Sequence, residues 1–262
     1  MMKKLYVVGG QSSKSLSPLI FNHWFRKYKI KATYGYLQLN KKNFDKEIKK
    51  TLKDKKLVGL NITIPFKKQI IKHIDKLDKY SKDIGAVNSV TNSKNVKGSN
   101  TDWIGYYNSL PKIRDLSKKK VVLIGYGGAA HAIHYLLKKK GVKKIVIINK
   151  TKRKIKFTRQ TTYTQTLRAL KKNIQDADII INATPSNPIK KNIKHLVRKK
   201  TILSDIVYKP KETNFLKNFP NNKKIYGIDM LIQQAIPCFK MWFGTNPSVD
   251  KLLLKKLNKE IK

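Results

Sequence analysis

The sequence predicts an α/β protein of two domains, in which helices cover sheets of mainly parallel strands. Its 262 residues exceed the roughly 100 to 200 that one domain usually holds, so two domains are expected. Apolar runs alternate with lysine-rich amphipathic stretches along the whole chain, which is typical of successive β-α-β units. One of these runs leads into a glycine-rich turn at Gly125 and then into a helix, which indicates nucleotide binding in one domain.

The apolar runs predict strands and the amphipathic stretches predict helices. Val, Ile and Leu dominate the runs, and each run has the length of a buried strand. The predicted strands are residues 5–8, 34–39, 58–64, 121–124, 145–148, 179–182 and 202–206. The predicted helices include residues 17–27, 42–53, 129–140 and 250–259. Segments 85–89 and 98–102 frame a predicted hairpin, whereas residues 152–175 show no clear period and stay unassigned.

The chain is strongly basic, since 59 Lys and Arg against 15 Asp and Glu leave a net charge of +44. A basic surface attracts polyanions, which favours nonspecific contact with nucleic acids. However, only six of the cations are arginine, the residue that binds bases through paired hydrogen bonds, and the lysines are spread over the whole length. We therefore attribute the charge to a lysine-rich composition of the kind an AT-rich genome produces, and we expect no specific nucleic-acid partner.

The cysteine content and the lack of long apolar segments indicate where in the cell the protein is located. Cys238 is the only cysteine, which excludes an intramolecular disulfide and suits a reducing environment. No stretch of about 18 uncharged apolar residues occurs, and the apolar segment at the N-terminus is too short for a signal peptide. We expect a cytoplasmic protein without a membrane partner. His131 and His134 lie three residues apart on a predicted helix but lack a third ligand nearby, so no metal site is expected.

Residues 121–131 carry the G-x-G-x-x-A form of the dinucleotide fingerprint at Gly125, Gly127 and Ala130. The first glycine permits a tight turn, the second lets the backbone approach the pyrophosphate, and the helix N-terminus supplies N–H groups. The next strand ends in residues 149–154, which contain no acid to bind a ribose hydroxyl and several cations that suit a 2′-phosphate. The pattern predicts a nucleotide site and favours NADP over NAD.

Short motifs before and after this loop occur in a definite order along the chain. They are S-L-S-P at 15–18, N-I-T-I-P-F-K at 61–67, G-A-V-N-S at 85–89, N-T-D at 100–102, G-Y-G-G-A at 125–129, N-K-T at 149–151, N-A-T-P at 182–185, D-I-V-Y-K-P at 205–210 and M-L-I-Q-Q-A at 230–235. In this order they resemble the shikimate dehydrogenase family over almost the whole chain. The resemblance implies an NADP-dependent oxidoreductase that reduces 3-dehydroshikimate to shikimate, a step in the biosynthesis of the aromatic amino acids.

The same resemblance implies roles for individual residues. Lys67 and Asp102 match the catalytic pair, in which an ammonium group gives a proton to the developing alkoxide. The positions that match substrate-binding groups are Ser15, Ser17, Thr63, Asn88, Asn100, Tyr208 and Gln234. The positions that match cofactor-binding groups are Gly125, Gly127, Gly128, Ala129, Asn149, Lys150, Thr151, Lys154, Thr184 and Met230. The substrate domain is expected at residues 1–103, completed by 228–262, and a Rossmann-type NADP domain at 104–227.

Several alternatives stay open. A quinate/shikimate dehydrogenase, which accepts an extra ring hydroxyl and often NAD, resembles this pattern, and so does a non-catalytic basic binding protein on the same fold. Lys150 stands where the family usually has Arg and loses the flat two-point fork for a phosphate. Pro237 is expected to interrupt a helix. The oligomeric state is also open, with a homodimer as one expectation.

Overall fold

The chain forms two compact α/β units, each with its own sheet. The computed structural model describes residues 1–113, 115–150, 161–164 and 167–262. Unit 1 consists of Met1–Asp102 and Ile232–Glu260, and unit 2 consists of Trp103–Leu231 and Ile261–Lys262. Strands and helices alternate in both units, which confirms the predicted fold class.

Six strands form the sheet of unit 1. They are β1 Lys3–Gly9, β2 Ala32–Gln38, β3 Leu57–Ile62, β4 Lys76–Leu77, β5 Ser89–Thr91 and β6 Lys97–Ser99. Their order in the sheet is β2-β1-β3-β5-β6-β4. β1 pairs in parallel with both β2 and β3, whereas β5 runs antiparallel to β3 and forms the predicted hairpin with β6. The carboxyl ends of β1 and β3 therefore lie at one edge of the sheet, where parallel sheets place their ligand sites.

Three helices cover this sheet in the first hundred residues: α1 Ser17–Lys27, α2 Phe44–Leu52 and α3 Lys79–Ile84. α1 has Pro18 in its first turn, where an N–H would have no helical partner. Asp78 caps α3, because its side chain accepts a hydrogen bond from the Ser81 backbone nitrogen at 2.6 Å. Gly85 ends α3 with a φ of +68°, a left-handed conformation that suits glycine. Each boundary therefore has a local cause in the sequence.

Unit 2 contains a second six-stranded sheet whose pairings are all parallel. Its strands are β7 Lys120–Ile124, β8 Lys144–Ile148, β9 Thr161–Thr164, β10 Ile179–Asn182, β11 Ile202–Asp205 and β12 Lys224–Tyr226. They lie in the order β12-β11-β10-β7-β8-β9. The central strands are buried on both faces, and this explains why they are continuous apolar runs without alternation.

Helices pack on this sheet over two separate apolar cores. They are α4 Asp102–Ser109, α5 Gly128–Lys139, α6 Leu167–Ile174 and α7 Asn214–Lys217. Val121 and Leu123 of β7 face one core, whereas Val122 and Ile124 face the other, as the two-residue period of a strand requires. The sheet thus has the doubly covered form that the sequence predicts for a nucleotide-binding unit.

Two further helices end the chain, α8 Gly227–Phe243 and α9 Lys251–Glu260. The prediction that Pro237 interrupts a helix is wrong, because α8 continues through it. Proline inside a helix costs about 3 kcal/mol. Here Cys238 and Phe239 directly after it are fully buried, and Phe239 lies against Trp24 with ring centroids 5.4 Å apart. We attribute the continuity of α8 to this aromatic packing, which offsets the cost of proline.

Candidate active site

A buried pair of opposite charges lies in unit 1. The Lys67 Nζ is 2.6 Å from the Asp102 Oδ2, and the two side chains are 11% and 6% exposed. Lys67 follows β3 in the N-I-T-I-P-F-K motif, and Asp102 is the first residue of α4. Removing either partner would leave an uncompensated charge out of water. The structure thus brings together the two residues that the resemblance marks as catalytic.

Asn88 orients the other oxygen of this carboxylate. Its Nδ2 donates a hydrogen bond to the Asp102 Oδ1 at 2.9 Å and lies 3.1 Å from the Gln234 Oε1. Its Oδ1 accepts from the Thr101 backbone nitrogen at 2.7 Å. Each carboxylate oxygen of Asp102 therefore has its own partner, which restricts rotation of the group. Asn88 and Gln234, both predicted to bind substrate, lie beside the charged pair.

The amide of Asn100 also supports Asp102. Its Oδ1 accepts a hydrogen bond from the Asp102 backbone nitrogen at 3.0 Å, and its Nδ2 donates to the Ala86 carbonyl at 2.8 Å. Asn100 is 3% exposed. Since both of its polar atoms bind the backbone, this side chain fixes the start of α4 and the direction of the carboxylate.

Ser15 and Ser17 form a second group of predicted substrate ligands in unit 1. Both are buried, and the Ser15 Oγ lies 3.2 Å from both the Oγ and the backbone nitrogen of Ser17. Burial raises the pKa of Tyr34 well above its usual value, and a hydrogen bond with Ser17 opposes this rise. Thr63 follows β3, and its backbone nitrogen donates to the Val8 carbonyl at 2.8 Å. Thr63 therefore lies at the end of β3 beside β1, whereas Ser15 and Ser17 lie at the start of α1.

A buried polar network in unit 1 includes residues that the sequence analysis missed. The Tyr34 hydroxyl donates to the Asn61 Oδ1 at 2.6 Å, and the Asn61 Nδ2 donates to the Cys238 Sγ at 3.3 Å. The same sulfur is 3.3 Å from the Thr101 Oγ1, next to Asp102. Asn61 and Thr101 lie inside motifs that stood out in the sequence, whereas no pattern indicated that Tyr34 or the thiol of Cys238 would join this network.

The glycine-rich loop of unit 2 has the shape that a dinucleotide requires. Gly125 has a φ of +91°, and a Cβ built on it would lie 2.7 Å from the Thr184 Cγ2 and 3.0 Å from the Ala183 carbonyl oxygen. A side chain at this position would therefore be strained and would clash. Gly127 caps α5, and a Cβ on it would meet nothing within 4 Å. The open side of Gly127 at a helix N-terminus fits a bound pyrophosphate.

The other predicted cofactor residues of unit 2 have different surroundings. Asn149 and Lys150 follow β8, as the fingerprint requires, whereas Thr151 and Lys154 lie outside the described residues. The Thr184 Oγ1 donates to the Asn182 Oδ1 at 2.7 Å. The remaining predicted cofactor positions are Gly128 and Ala129, half-buried at the start of α5, and Met230, 7% exposed in the unit 2 core. Tyr208, which was predicted to bind substrate, is half-buried after β11.

Metal ligands and membrane spans are both absent from the described part of the chain. No group of three or more His, Cys, Asp or Glu side chains among these residues could hold a metal ion. None of the helices formed by the same residues combines the length and the apolar character needed to span a bilayer.

The doubly covered sheet with its glycine loop and the buried lysine–carboxylate pair define a dinucleotide-dependent oxidoreductase. Comparison with known protein families identifies the family to which the chain belongs. The family described as "Shikimate dehydrogenase substrate binding domain" matches residues 7–90, and "Shikimate / quinate 5-dehydrogenase" matches residues 109–232. The chain belongs to the shikimate dehydrogenase family.

Similar proteins cover the chain almost completely. The shikimate dehydrogenase (NADP(+)) of Staphylococcus haemolyticus is 33% identical over 98% of this chain and 98% of its own length. The crystal structure of the Aquifex aeolicus shikimate dehydrogenase is 30% identical, with a TM-score of 0.85 over 98% of this chain and 97% of that one. A shikimate dehydrogenase solved with NADP+ is 28% identical, with a TM-score of 0.86 over 100% of this chain and 96% of that one.

The stability of the protein should fall as the pH is lowered from about 6.5 to 4, and His134 of α5 should cause part of this loss. Burial, with a smaller contribution from the positive charge of Lys138, lowers the pKa of His134 to about 4. Between pH 4 and 6.5 the unfolded chain binds a proton at this residue and the folded chain does not, so folding is favoured at the higher pH. The full difference in the free energy of unfolding is about 3 kcal/mol.

Thermal unfolding measured across this pH range checks the expectation. A His134→Gln variant keeps a donor and an acceptor but does not titrate there, so its melting temperature should depend less on pH. His195→Gln, at an exposed histidine of the same unit, is the matched control and should behave like the parent. An unchanged pH dependence in His134→Gln would contradict the assignment.

Proposed function

We propose that this protein catalyses the reversible, NADPH-dependent reduction of 3-dehydroshikimate to shikimate, in the pathway to chorismate and the aromatic amino acids. Membership of the shikimate dehydrogenase family supports the substrate and the cofactor. The observation that carries the proposal is the buried pair of Lys67 and Asp102 in unit 1, of which Lys67 lies within the residues that the substrate-binding family description matches. A ketone reduction needs such a proton donor beside the carbonyl oxygen.

Lys67 acts as the general acid in this proposal. NADPH, when bound, supplies the hydride that adds to the carbonyl carbon. The ammonium group of Lys67 stabilises the negative charge on the oxygen and gives it a proton, which forms the hydroxyl of shikimate. Asp102, whose Oδ2 lies 2.6 Å from the Lys67 Nζ, stabilises the charged form of Lys67. The same carboxylate would accept a hydrogen bond from a neighbouring ring hydroxyl of the substrate. Lys67 then takes a proton from water, and in the reverse reaction it acts as the base.

The polar residues of unit 1 would recognise the rest of the substrate. Ser15 and Ser17 would donate their hydroxyl hydrogens to the substrate carboxylate. Tyr208, which belongs to unit 2, is a further proposed partner for that end. Thr63, Asn88, Asn100 and Gln234 would bind the ring hydroxyls. A site that forms a hydrogen bond to each hydroxyl excludes analogues that lack one, because its own buried polar groups would then be left unpaired. The hydrogen bonds between Asn88, Asn100 and Asp102 favour a positioning role for the two amides as well.

The cofactor-binding residues would lie in unit 2. The backbone of Gly125, Gly127, Gly128 and Ala129 would face the pyrophosphate, which the open side of Gly127 supports. Asn149, Lys150, Thr151 and Lys154 would surround the adenosine end and its 2′-phosphate. Thr184 and Met230 would approach the nicotinamide half.

NADPH should bind more tightly than NADH, by at least about tenfold at low salt, because cations near residues 149–154 attract the 2′-phosphate. This preference should shrink as salt screens the charges. Fluorescence titrations of both cofactors over a range of ionic strength measure the ratio. Lys150→Ala should reduce the ratio, whereas Lys94→Ala, at an exposed lysine of unit 1, should leave it unchanged. Equal affinities at low ionic strength would contradict the assignment of NADP.

The direct test of the proposed activity is oxidation of NADPH by the purified protein with 3-dehydroshikimate. We expect consumption of NADPH to depend on the substrate and to yield shikimate, identified by chromatography. The reverse reaction, shikimate with NADP+, should reach the same equilibrium. No turnover in either direction by a protein that is folded and binds NADPH would overturn the proposal and favour a non-catalytic binding protein.

A second candidate substrate is quinate, since the family description that matches residues 109–232 includes quinate 5-dehydrogenases. Quinate has an additional ring hydroxyl, and a site built for shikimate would have to accommodate it. We expect kcat/KM to be higher for shikimate than for quinate. Oxidation of both compounds, each with NADP+ and with NAD+, distinguishes the two functions.

Three expectations about the surroundings of the protein remain predictions. They are a cytoplasmic location, the absence of a specific nucleic-acid partner, and a homodimer as one form in solution. Any binding of nucleic acid should be independent of sequence and should fall steeply with salt, because it would depend on the release of counterions. Titration against unrelated RNA and DNA sequences tests the second expectation.

A further inference from the structure

Tyr126 occupies the middle position of the glycine loop and is buried, at 8% exposure. Its ring lies against two histidines of α5, with centroids 4.2 Å from His131 and 5.7 Å from His134. These histidines are three residues apart, so they lie on the same side of the helix. The side chain of Tyr126 thus packs against α5, the helix that follows the loop.

Hydrogen bonds connect Tyr126 to a neighbouring strand through His134. The Tyr126 hydroxyl lies 2.7 Å from the His134 Nδ1, and the His134 Nε2 lies 3.2 Å from the Thr161 Oγ1. Thr161 is the first residue of β9, opposite Ile145 of β8. His134 and Thr161 are 5% and 4% exposed, so the whole line of contacts is shielded from water.

The protonation states suit this arrangement. Burial lowers the pKa of His134 to about 4 and raises the pKa of Tyr126 to about 12, so both groups are neutral near pH 7. A neutral imidazole has one donor nitrogen and one acceptor nitrogen. Either tautomer can therefore bind two hydroxyl groups at once, because a hydroxyl serves as donor or acceptor.

We propose that His134 is a positioning residue for the dinucleotide loop, which it fixes by binding Tyr126 on one side and Thr161 on the other. Gly125 and Tyr126 lie between β7 and α5, outside regular secondary structure. Gly125 is closely packed against Thr184 and Ala183, whereas a Cβ built on Gly127 would meet nothing within 4 Å, so the backbone after Gly125 has few steric constraints of its own. The anchored phenol supplies the constraint, and the loop is ordered before the cofactor binds.

This inference rests on the proposed use of NADPH and concerns affinity alone. Losing one buried hydrogen bond corresponds to about a tenfold change in an equilibrium constant. Tyr126→Phe keeps the ring and removes only the hydroxyl, so it should raise the Kd and the KM for NADPH about three- to tenfold. His134→Ala should raise them about tenfold. The kcat, and the KM for the ketone substrate, should stay within about twofold of the parent values.

Fluorescence titration of each variant with NADPH, without substrate, is the decisive experiment, together with the melting temperature of each. His134→Gln, which retains a donor and an acceptor, should recover most of the affinity. The double variant Tyr126→Phe/His134→Ala should bind no more weakly than His134→Ala, because both changes break the same connection. His195→Ala is the surface control and should bind like the parent.

A second control separates positioning from general destabilisation. Leu136 lies on the same helix, is fully buried, and belongs to the apolar core of unit 2. If Leu136→Ala lowers the melting temperature as much as His134→Ala and raises the Kd equally, the inference is overturned. Unchanged NADPH affinity in Tyr126→Phe overturns it as well, and this variant is expected to fold even where His134→Ala does not. Failure of the parent protein to bind NADPH would refute the proposed function instead.

Discussion

Replacing Lys67 with alanine should lower kcat by about 10² to 10⁴, the usual effect of removing a general acid. The ammonium group is the proton donor for the developing alkoxide, and it is held 2.6 Å from Asp102 in a pair that is almost fully buried. An alanine leaves the oxygen without a donor and the carboxylate without a counter-charge. Because the group acts mainly in the transition state, kcat should fall much more than KM rises.

Steady-state kinetics with varied 3-dehydroshikimate, combined with NADPH titration, measure this effect. The affinity for NADPH should be unchanged, since Lys67 is not among the residues proposed to bind the cofactor. Lys94→Ala removes the same charge from an exposed position of unit 1 and should keep the parent activity. Near-full turnover by Lys67→Ala would show that another group supplies the proton.

Replacing Asp102 with asparagine should reduce kcat by about 10² or more and also destabilise unit 1. One oxygen of the carboxylate accepts from the Lys67 Nζ and the other from the Asn88 Nδ2. An asparagine side chain has only one acceptor, so its NH2 group must face either a cation or another NH2 group. The unpaired lysine charge in a buried site costs up to about 3 to 5 kcal/mol of stability.

Two measurements separate the catalytic effect from the structural one. Assays well below the melting temperature of the variant report kcat on folded protein, and thermal unfolding reports the loss of stability. Asp83→Asn removes an exposed carboxylate from the same unit and should change neither quantity. If Asp102→Asn keeps both activity and stability, the carboxylate neither holds Lys67 in place nor stabilises its charged form.

Local patterns were sufficient to predict most of the fold. The apolar runs correspond to strands because each must be buried, and the two-residue period of β7 assigns its side chains to two cores. The glycine loop was predictable for the same kind of reason, since only glycine tolerates the φ of +91° at residue 125. The pair of Lys67 and Asp102 was harder to predict from local patterns, because its residues lie 35 positions apart. The family resemblance, and not periodicity, connected them.

By itself the sequence determined the order of strands and helices, the nucleotide loop and the family, because these depend on spacing within short segments. Tertiary structure alone decided which polar side chains meet. Asn61 and Cys238 are 177 residues apart, and only the packing of α8 against the unit 1 sheet makes them neighbours. Tyr126, His134 and Thr161 come from a loop, a helix and a strand, and their hydrogen bonds depend on how these elements pack. The continuity of α8 at Pro237 has the same origin, since the contacts of Phe239 outweigh a local preference that would end the helix.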